Sequence, residues 1–447
     1  MAEKRLRLTA VSNMTRPRPA TPITSDEFAD AMNAFVPFEF TPHLAVGVSG
    51  GADSMALAVL LHDWSRAQGG KITALIVEHG LRAESSVEAA QTAARLTRLG
   101  IAVEILYWRG TKPERGIQAE ARRARYDFLD RWCRHNGVLH LTVAHHADDQ
   151  AETFMMRLQR GSGPDGLAAM APVRELGACR LLRPLLGFPK ARLVATLEAA
   201  GMGWVEDPSN RDPKYGRTLV RDRLETEAGK APGVMIATAR FARARASLEA
   251  ATADWLARHA ALHPAGFLRM TSADLQRADD EIRLRALSRA AQAIGGRAYP
   301  PDIAGVERLK DALQEGRGAT LGRARFDLEG DMIGVYREAR NLPKPVSLSP
   351  GTHIWDRRFL ITSDGALNGY EVHPWGAEIA DNWPKNSRPA WVRGLPAKVR
   401  SGLPVVVRNG GYDVPMPEGF GPEPEKIGVS IRFQPTMPLS GSGFSVA

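Results

Sequence analysis

The stretch Leu44–Trp64, LAVGVSGGADSMALAVLLHDW, constrains this chain more than any other. A short apolar run of strand type meets Ser49-Gly50-Gly51-Ala52-Asp53-Ser54, and a helical pattern starts at once. Two glycines at a strand-to-helix turn let backbone N–H groups crowd inward. The helix start that follows adds unpaired N–H groups and the positive end of its dipole, and Ser54 adds a hydroxyl. Such a turn is a phosphate cradle. It is not of the Walker A type, which needs a lysine that residues 49–54 lack, nor of the G-x-G-x-x-G type that marks dinucleotide sites. Asp53 would repel a phosphate unless a divalent cation stood between them. Mg²⁺ takes one or two carboxylates plus substrate phosphates, so Asp53 is expected to hold that ion. The competing reading is an ordinary tight turn capped by Asp53 and Ser54; the strand before it and the long amphipathic helix after it favour the cradle.

A chain of 447 residues is expected to form two or three domains. From Leu44 to about Leu186 apolar strands alternate with amphipathic helices. Strands are expected at Leu44–Ser49, Ile72–Glu78, Ala102–Tyr107, Val138–Ala144 and Arg180–Leu185. Helices are expected at Ser54–Gln68, Ser85–Leu99, Ile117–Asn136, Asp149–Gln159 and Lys190–Ala200. The fold class is therefore α/β, a parallel twisted Rossmann-like sheet with helices on both faces. Ligands gather at the carboxyl ends of such strands, which points to the loops after Ser49, Glu78 and Ala144. Near Gly229 the alternation stops. Val234–His259, Ser272 to about Ile294 and Ala304–Leu313 carry helical spacing, and a small helical domain is expected there. Beyond it come short strands, Trp355, Trp375, Trp383 and Trp391, and many prolines and glycines, which read as a small β-rich or α+β domain. The expected division is a leader without fixed structure over 1–22, a catalytic domain over 23–228, a helical domain over 229–342 and the C-terminal domain over 343–447.

Composition narrows the setting. The two cysteines, Cys133 and Cys179, form no C-x-x-C pair, which argues against a disulfide scaffold, a zinc ribbon or an iron–sulfur cluster and fits a reducing cytoplasm. No apolar run approaches the roughly 18 residues of a membrane span, and the basic amino-terminal stretch lacks the apolar core of a secretory signal. The net charge is +9, and arginine outnumbers lysine roughly four to one. A polyanionic partner suits that balance, although an Ala- and Arg-rich composition also follows from genome base bias.

Further stretches carry candidate site residues. In VEHGLRAESSVEA (Val77–Ala89), His79 and Arg82 follow the second strand and stand beside the cradle, where Arg82 can meet phosphate. In GIQAEARRARYDFLDRW (Gly116–Trp132), Arg122 and Arg125 share a helix face. In AHHADDQAET (Ala144–Thr153), His145, Asp149 and Glu152 project from one face if the helix starts there. In VEDPSNRDPKYGRTLVR (Val205–Arg221), Arg217 and Arg221 lie one helical turn apart and can address one phosphate. For each arginine taken singly the alternative is plain solvent exposure.

SGGADS at the end of a first strand resembles the PP-loop of the N-type ATP pyrophosphatases, which bind the pyrophosphate of ATP there and cleave between its α and β phosphates. The other stretches, together with RGSGPDGLAAM (Arg160–Met170), are similar in order and content to the motifs of one branch, the tRNA(Ile)-lysidine synthetase family. Glu78 stands where that family has Asp, and Thr218 where it has Asn. The resemblance covers residues 44–221. It implies adenylation of carbon 2 of the wobble cytidine in a CAU-anticodon tRNA(Ile) by ATP·Mg²⁺, then displacement of AMP by the ε-amine of free L-lysine. It implies that Ser49, Gly50, Gly51, Ala52, Asp53, Ser54, His79 and Arg82 bind ATP, with Asp53 and Asp149 at the metal. His145, Asp149, Glu152, Arg217 and Arg221 would serve the reaction centre, with His145 a candidate base for the lysine amine. Arg122, Arg125, Arg240 and Arg243 are candidate tRNA contacts. A cytoplasmic enzyme without a membrane partner follows; a homodimer stays open. The runner-up is a tRNA thiolase of the same fold, which needs reactive cysteines near the PP-loop. A tRNA-binding protein with a decayed ATP site is a third reading.

Overall fold

Apolar strands that bury both faces need a layer of helices on each side, and the alternation from Leu44 to Leu186 supplies them. The computed structural model describes residues 20–80, 85–109, 117–176, 178–205, 231–363, 369–408, 411–415, 417–419 and 428–439. The chain divides into two compact units, one up to Ala239 and one from Arg240.

The first unit runs α1 (Ser25–Asn33), β1 (His43–Val48), α2 (Ala52–Ala67), β2 (Lys71–Glu78), α3 (Ser85–Arg98), β3 (Ala102–Tyr107), α4 (Ile117–His135), β4 (His140–Thr142), α5 (Ala147–Gln159), α6 (Pro164–Leu167), β5 (Val173–Glu175), β6 (Arg180–Leu182) and α7 (Lys190–Ala199). The sheet order is β3-β2-β1-β4-β6-β5. Every pairing is parallel except that of β5 with β6. Alternate residues of β1 and β2 feed two cores, as the two-residue period of a strand requires. Leu44, Val46, Ile72 and Ala74 pack with α1, α2 and α7 on one face. Ala45 and Leu75 pack with Leu129, Trp132 and Cys133 of α4 on the other. A buried histidine ties β4 to β6: Arg180 Nε donates to His140 Nδ1 (2.9 Å), and His140 Nε2 pairs with Glu39 (2.8 Å). Burial holds that imidazole down to about 4.

Chain order reverses at β1. From it the chain moves outward to β2 and β3, then returns to its other side as β4. The carboxyl ends of β1 and β4 therefore flank a topological switch point, where α/β sheets bind ligands. The loops that leave those two ends carry SGGADS and HHADD.

The expected strands and helices of this unit are all present, with ends moved by a few residues. The structure adds α1, α6 and the antiparallel edge strand β5. It also corrects one helix start. α5 begins at Ala147, and His146 is its N-cap with extended backbone (φ −125°, ψ −177°), so His145 lies in the preceding loop. Only Asp149 and Glu152 of the expected one-face trio belong to the helix.

The second unit contains the greater part of a long helix, Ala231–His259, with the helices Ser272–Arg277, Asp280–Gly295 and Ile303–Gln314. Helical spacing anticipated the first and last of these, but the single stretch expected from Ser272 to about Ile294 is two helices, broken at the non-helical residues Ala278 and Asp279. It did not anticipate the five-stranded antiparallel sheet among them, whose strands are Ala260–His263, Phe267–Thr271, Ala319–Leu321, Ala324–Glu329 and Met332–Arg337. Farther along lie two smaller antiparallel sheets, of four and three strands, and Trp355, Trp375 and Trp383 are buried in the core they share. Among the described residues no helix is long and apolar enough to cross a membrane.

Candidate active site

Gly50 sets the shape of the turn after β1. Its φ is +84°, a region that L side chains rarely adopt, and a Cβ there would lie 2.6 Å from Thr92 Oγ1. Its carbonyl accepts from Val205 N (2.9 Å), which ties the turn to the chain beyond α7. Ser54 closes the loop from inside: its hydroxyl accepts from Ser49 N (3.1 Å) and donates to Gly51 O (3.0 Å). The N-cap of α2 is Gly51, and no side chain caps that end, so the first-turn N–H groups are left for an incoming anion.

The turn forms one wall of a cavity of about 580 Å³, within the roughly 300–1,000 Å³ range of small-molecule sites. Ser49, Gly51, Ala52, Asp53 and Ser54 line it, with Arg122, Arg125 and Tyr126 of α4, His145 after β4 and Lys190 at the start of α7. Leu75, Val77, Leu129 and Val143 give it an apolar side, and Trp204 joins the lining. The result is a polar end at a helix N-terminus and an apolar end on the sheet.

The electrostatic centre is Asp53. Burial pushes its carboxyl up, but hydrogen bonding and charge from His146, with help from Lys190, outweigh burial and hold it below its ordinary value. His146 Nε2 lies 3.6 Å from Asp53 Oδ2 and 3.5 Å from Asp149 Oδ2, so one imidazole nitrogen stands between two carboxylates. Burial lowers His146, yet Asp53, Asp149 and Asp148 raise it further, and its net shift is upward. Lys190 Nζ sits 3.4 Å from Asp53 Oδ2. Asp53 Oδ1 is buried and has no hydrogen-bond partner.

The other expected residues fall as follows. Asp149 Oδ2 accepts from His146 N (3.1 Å) and so also caps α5. Glu152 is buried in α5. Neither lines the cavity. His79 packs edge-on against Trp108, with ring centroids 5.7 Å apart, and is likewise absent from the lining. Glu78 is buried and accepts from Gly80 N and Ser85 Oγ, both at 2.6 Å, which joins the end of β2 to the start of α3. Arg122 lies over Tyr126 at 5.3 Å. Arg240 and Arg243 are exposed on the long helix. Arg82, Arg217, Thr218 and Arg221 lie outside the described residues.

Sequence reading missed two residues, His146 and Lys190. For His146 the signal was present: His146-x-x-Asp149 at an acidic helix start has the spacing of a capping box, which would have set the helix phase. Lys190 is a lone lysine after a strand, and nothing in GFPK marks it apart from its place at the carboxyl edge. Both cysteines are buried and free. Contact with Cys133 and burial push the Cys179 thiol up, the reverse of what a sulfur-carrying nucleophile needs.

A family model described as a PP-loop domain matches residues 24–228, and with that family comes the use of ATP. Fold, cradle and cavity thus define an ATP-binding PP-loop protein. The tRNA(Ile)-lysidine synthase of Bradyrhizobium diazoefficiens is 40% identical over 316 residues, covering 68% of this chain and 86% of that protein. That of Rhizobium meliloti is 36% identical over 75% of this chain and 77% of the relative, and that of Ruegeria pomeroyi 37% identical over 77% and 83%. The chain belongs to the tRNA(Ile)-lysidine synthase family.

The Asp53–His146 pair fixes a pH window. A raised histidine contributes stability in full below its ordinary value of 6.5 and loses it as pH rises through the raised value. A depressed carboxyl contributes above its ordinary 3.8 and loses it as pH falls through the lowered value. In an NMR titration of the nucleotide-free protein, His146 should titrate above 6.5, and Asp53→Asn should bring it down. A His146 titration at or below 6.5 in the unaltered protein would contradict the arrangement.

Proposed function

We propose that this chain uses ATP to adenylate carbon 2 of the wobble cytidine in a CAU-anticodon tRNA(Ile), then joins free L-lysine there through its ε-amine. Pyrophosphate leaves in the first half-reaction and AMP in the second. The product is lysidine, which switches decoding from Met to Ile codons. The observation that carries the reading is the juxtaposition at the switch point: the SGGADS cradle and the HHADD loop meet around one cavity, with Asp53 between them.

The donor set suits Mg²⁺. Asp53 brings a buried oxygen without a partner, and Asp149 lies across the same imidazole nitrogen. Among the described residues no three His, Cys, Asp or Glu side chains converge as a cage. One or two carboxylates fit an ion that keeps phosphate and water ligands. Bound there, Mg²⁺ would neutralise the phosphates that Asp53 would otherwise repel. The remaining work belongs to the chain. Backbone N–H groups of residues 50–54 hold the pyrophosphate half against the helix dipole. Arg122 and Arg125 bring positive charge to the cavity, toward the phosphate backbone of the anticodon or toward the nucleotide. His145 lines the cavity and takes the proton that the lysine ammonium must lose before its amine attacks; Asp149 helps hold the metal or receives the amine, while Glu152, buried in α5, does not line the cavity. Arg82, Arg217 and Arg221 serve the phosphates; His79, packed against Trp108 outside the cavity lining, takes no part in that contact. The long helix with Arg240 and Arg243 belongs to the part of the chain that holds tRNA, and the setting is the cytoplasm.

Asp53→Asn keeps the shape and removes the charge. It should cut tRNA-dependent pyrophosphate release by about 100-fold or more while leaving the circular dichroism spectrum unchanged. Pyrophosphate release near the unaltered rate would sink the proposed role of the cradle.

Arg240→Ser with Arg243→Ser should weaken tRNA binding and make its log–log salt slope shallower, by about 0.7–0.9 for each phosphate the variant no longer neutralises. An unchanged affinity and slope would remove these two arginines from the tRNA surface.

A further inference from the structure

Lys190 is a cavity residue that neither the sequence motifs nor the proposed reaction employs. It is the first residue of α7, and its backbone N–H donates to Asp148 Oδ2 (3.2 Å) at the start of α5. Leu193 and Leu197 of the same helix are fully buried in the core with α2, so the base of the side chain is fixed. The far end is not. The Lys190 side chain is 45% exposed, and its ammonium reaches Asp53 Oδ2 only at 3.4 Å. A tight charge-assisted bond measures about 2.7–2.9 Å, so this pair is loose. Half-exposed pairs of this kind add little to stability.

We propose that Lys190 is a phosphate-binding residue with two positions. It balances Asp53 while the cavity is without nucleotide, and it moves to the pyrophosphate half of ATP when nucleotide enters. This role rests on the cavity being the ATP site. Three observations lead to it. Lys190 and Asp53 line the same cavity, beside the uncapped N-terminus of α2. The Asp53 carboxylate is engaged through Oδ2 alone, and Oδ1 has no partner, so the same residue offers a cation a second place to bind. Once a metal ion occupies Asp53, the lysine loses its counter-ion as a polyanion arrives within reach of its four-carbon stem. Lysine also fits the task better than arginine would. Its ammonium is a point charge with three rotatable donors, whereas a guanidinium would lock onto the carboxylate through two parallel bonds. The exchange keeps Asp53 an anion in the empty site and keeps the positive charge for the phosphates.

The test is calorimetric, on the full chain, with three probes: inorganic pyrophosphate, AMP, and α,β-methylene-ATP with Mg²⁺. Lys190→Ala should weaken pyrophosphate and the ATP analogue by about tenfold or more, the worth of one charged hydrogen bond, and leave AMP nearly unchanged. Lys190→Arg, which keeps the charge but can stay paired with Asp53, should recover only part of the loss. Pyrophosphate affinity unaffected by Lys190→Ala would overturn the proposal. So would an equal loss for AMP and pyrophosphate, the mark of a merely structural residue. If the unaltered chain bound none of the three probes, the ATP-site reading itself would fall and this role with it, a result distinct from a lysine variant that binds normally.

Discussion

Asp53 must remain an anion beside a place built to receive a polyanion, and the cavity is arranged around that conflict. Burial alone would push the carboxyl up, but His146 from the start of α5 and Lys190 from the start of α7 hold it below its ordinary value. Neither could reach it without the strand order. Because β4 returns to the free side of β1, and β6 follows next to β4, three loops that are far apart in sequence leave the sheet at one carboxyl edge. The positive φ of Gly50 then lets the first of those loops turn tightly enough to start α2 at the edge of the cavity.

The same physics explains which parts could be read beforehand. Strands such as Ala102–Tyr107 and helices such as Lys190–Ala199 announced themselves through period and length, because burial on one or both faces leaves a mark in the sequence. The cradle was legible because only glycine fits at position 50. The histidine at the centre was not, for a reason one residue long. In AHHADD the choice between His145 and His146 depends on where the helix starts. The cap at His146 turns that side chain toward Asp53 and leaves His145 in the loop. Lys190 was hidden because a long-range ion pair, 137 residues apart in the chain, has no local signature. The five-stranded sheet of the second unit escaped because its strands are three to six residues long and lie between strong helices.

Charge needs similar care. A net +9 suggests a broadly basic surface, yet many arginines work inside the fold. Arg180 and Arg183 are buried in the first unit. In the second, Arg337 and Arg358 share the Asp356 carboxylate in a buried network, and Arg388 is buried against backbone carbonyls. Arg285 and Arg289 both meet Glu249. Composition therefore overstates the free positive surface. Exposed residues such as Arg240 and Arg243, on a helix that opens the second unit, are better guides to a polyanionic partner than the total.

Family membership, the cradle and the acid–histidine cluster converge on one chemistry, and its defining product is a modified base. The most direct measurement is to incubate the full chain with a CAU-anticodon tRNA(Ile) transcript, ATP, Mg²⁺ and isotope-labelled L-lysine, then digest the RNA and identify its nucleosides by mass spectrometry. The label should appear in one nucleoside, lysidine, at the wobble position, and only when ATP is present. Label absent from the RNA, or a thiolated nucleoside formed when a sulfur donor replaces lysine, would contradict the account.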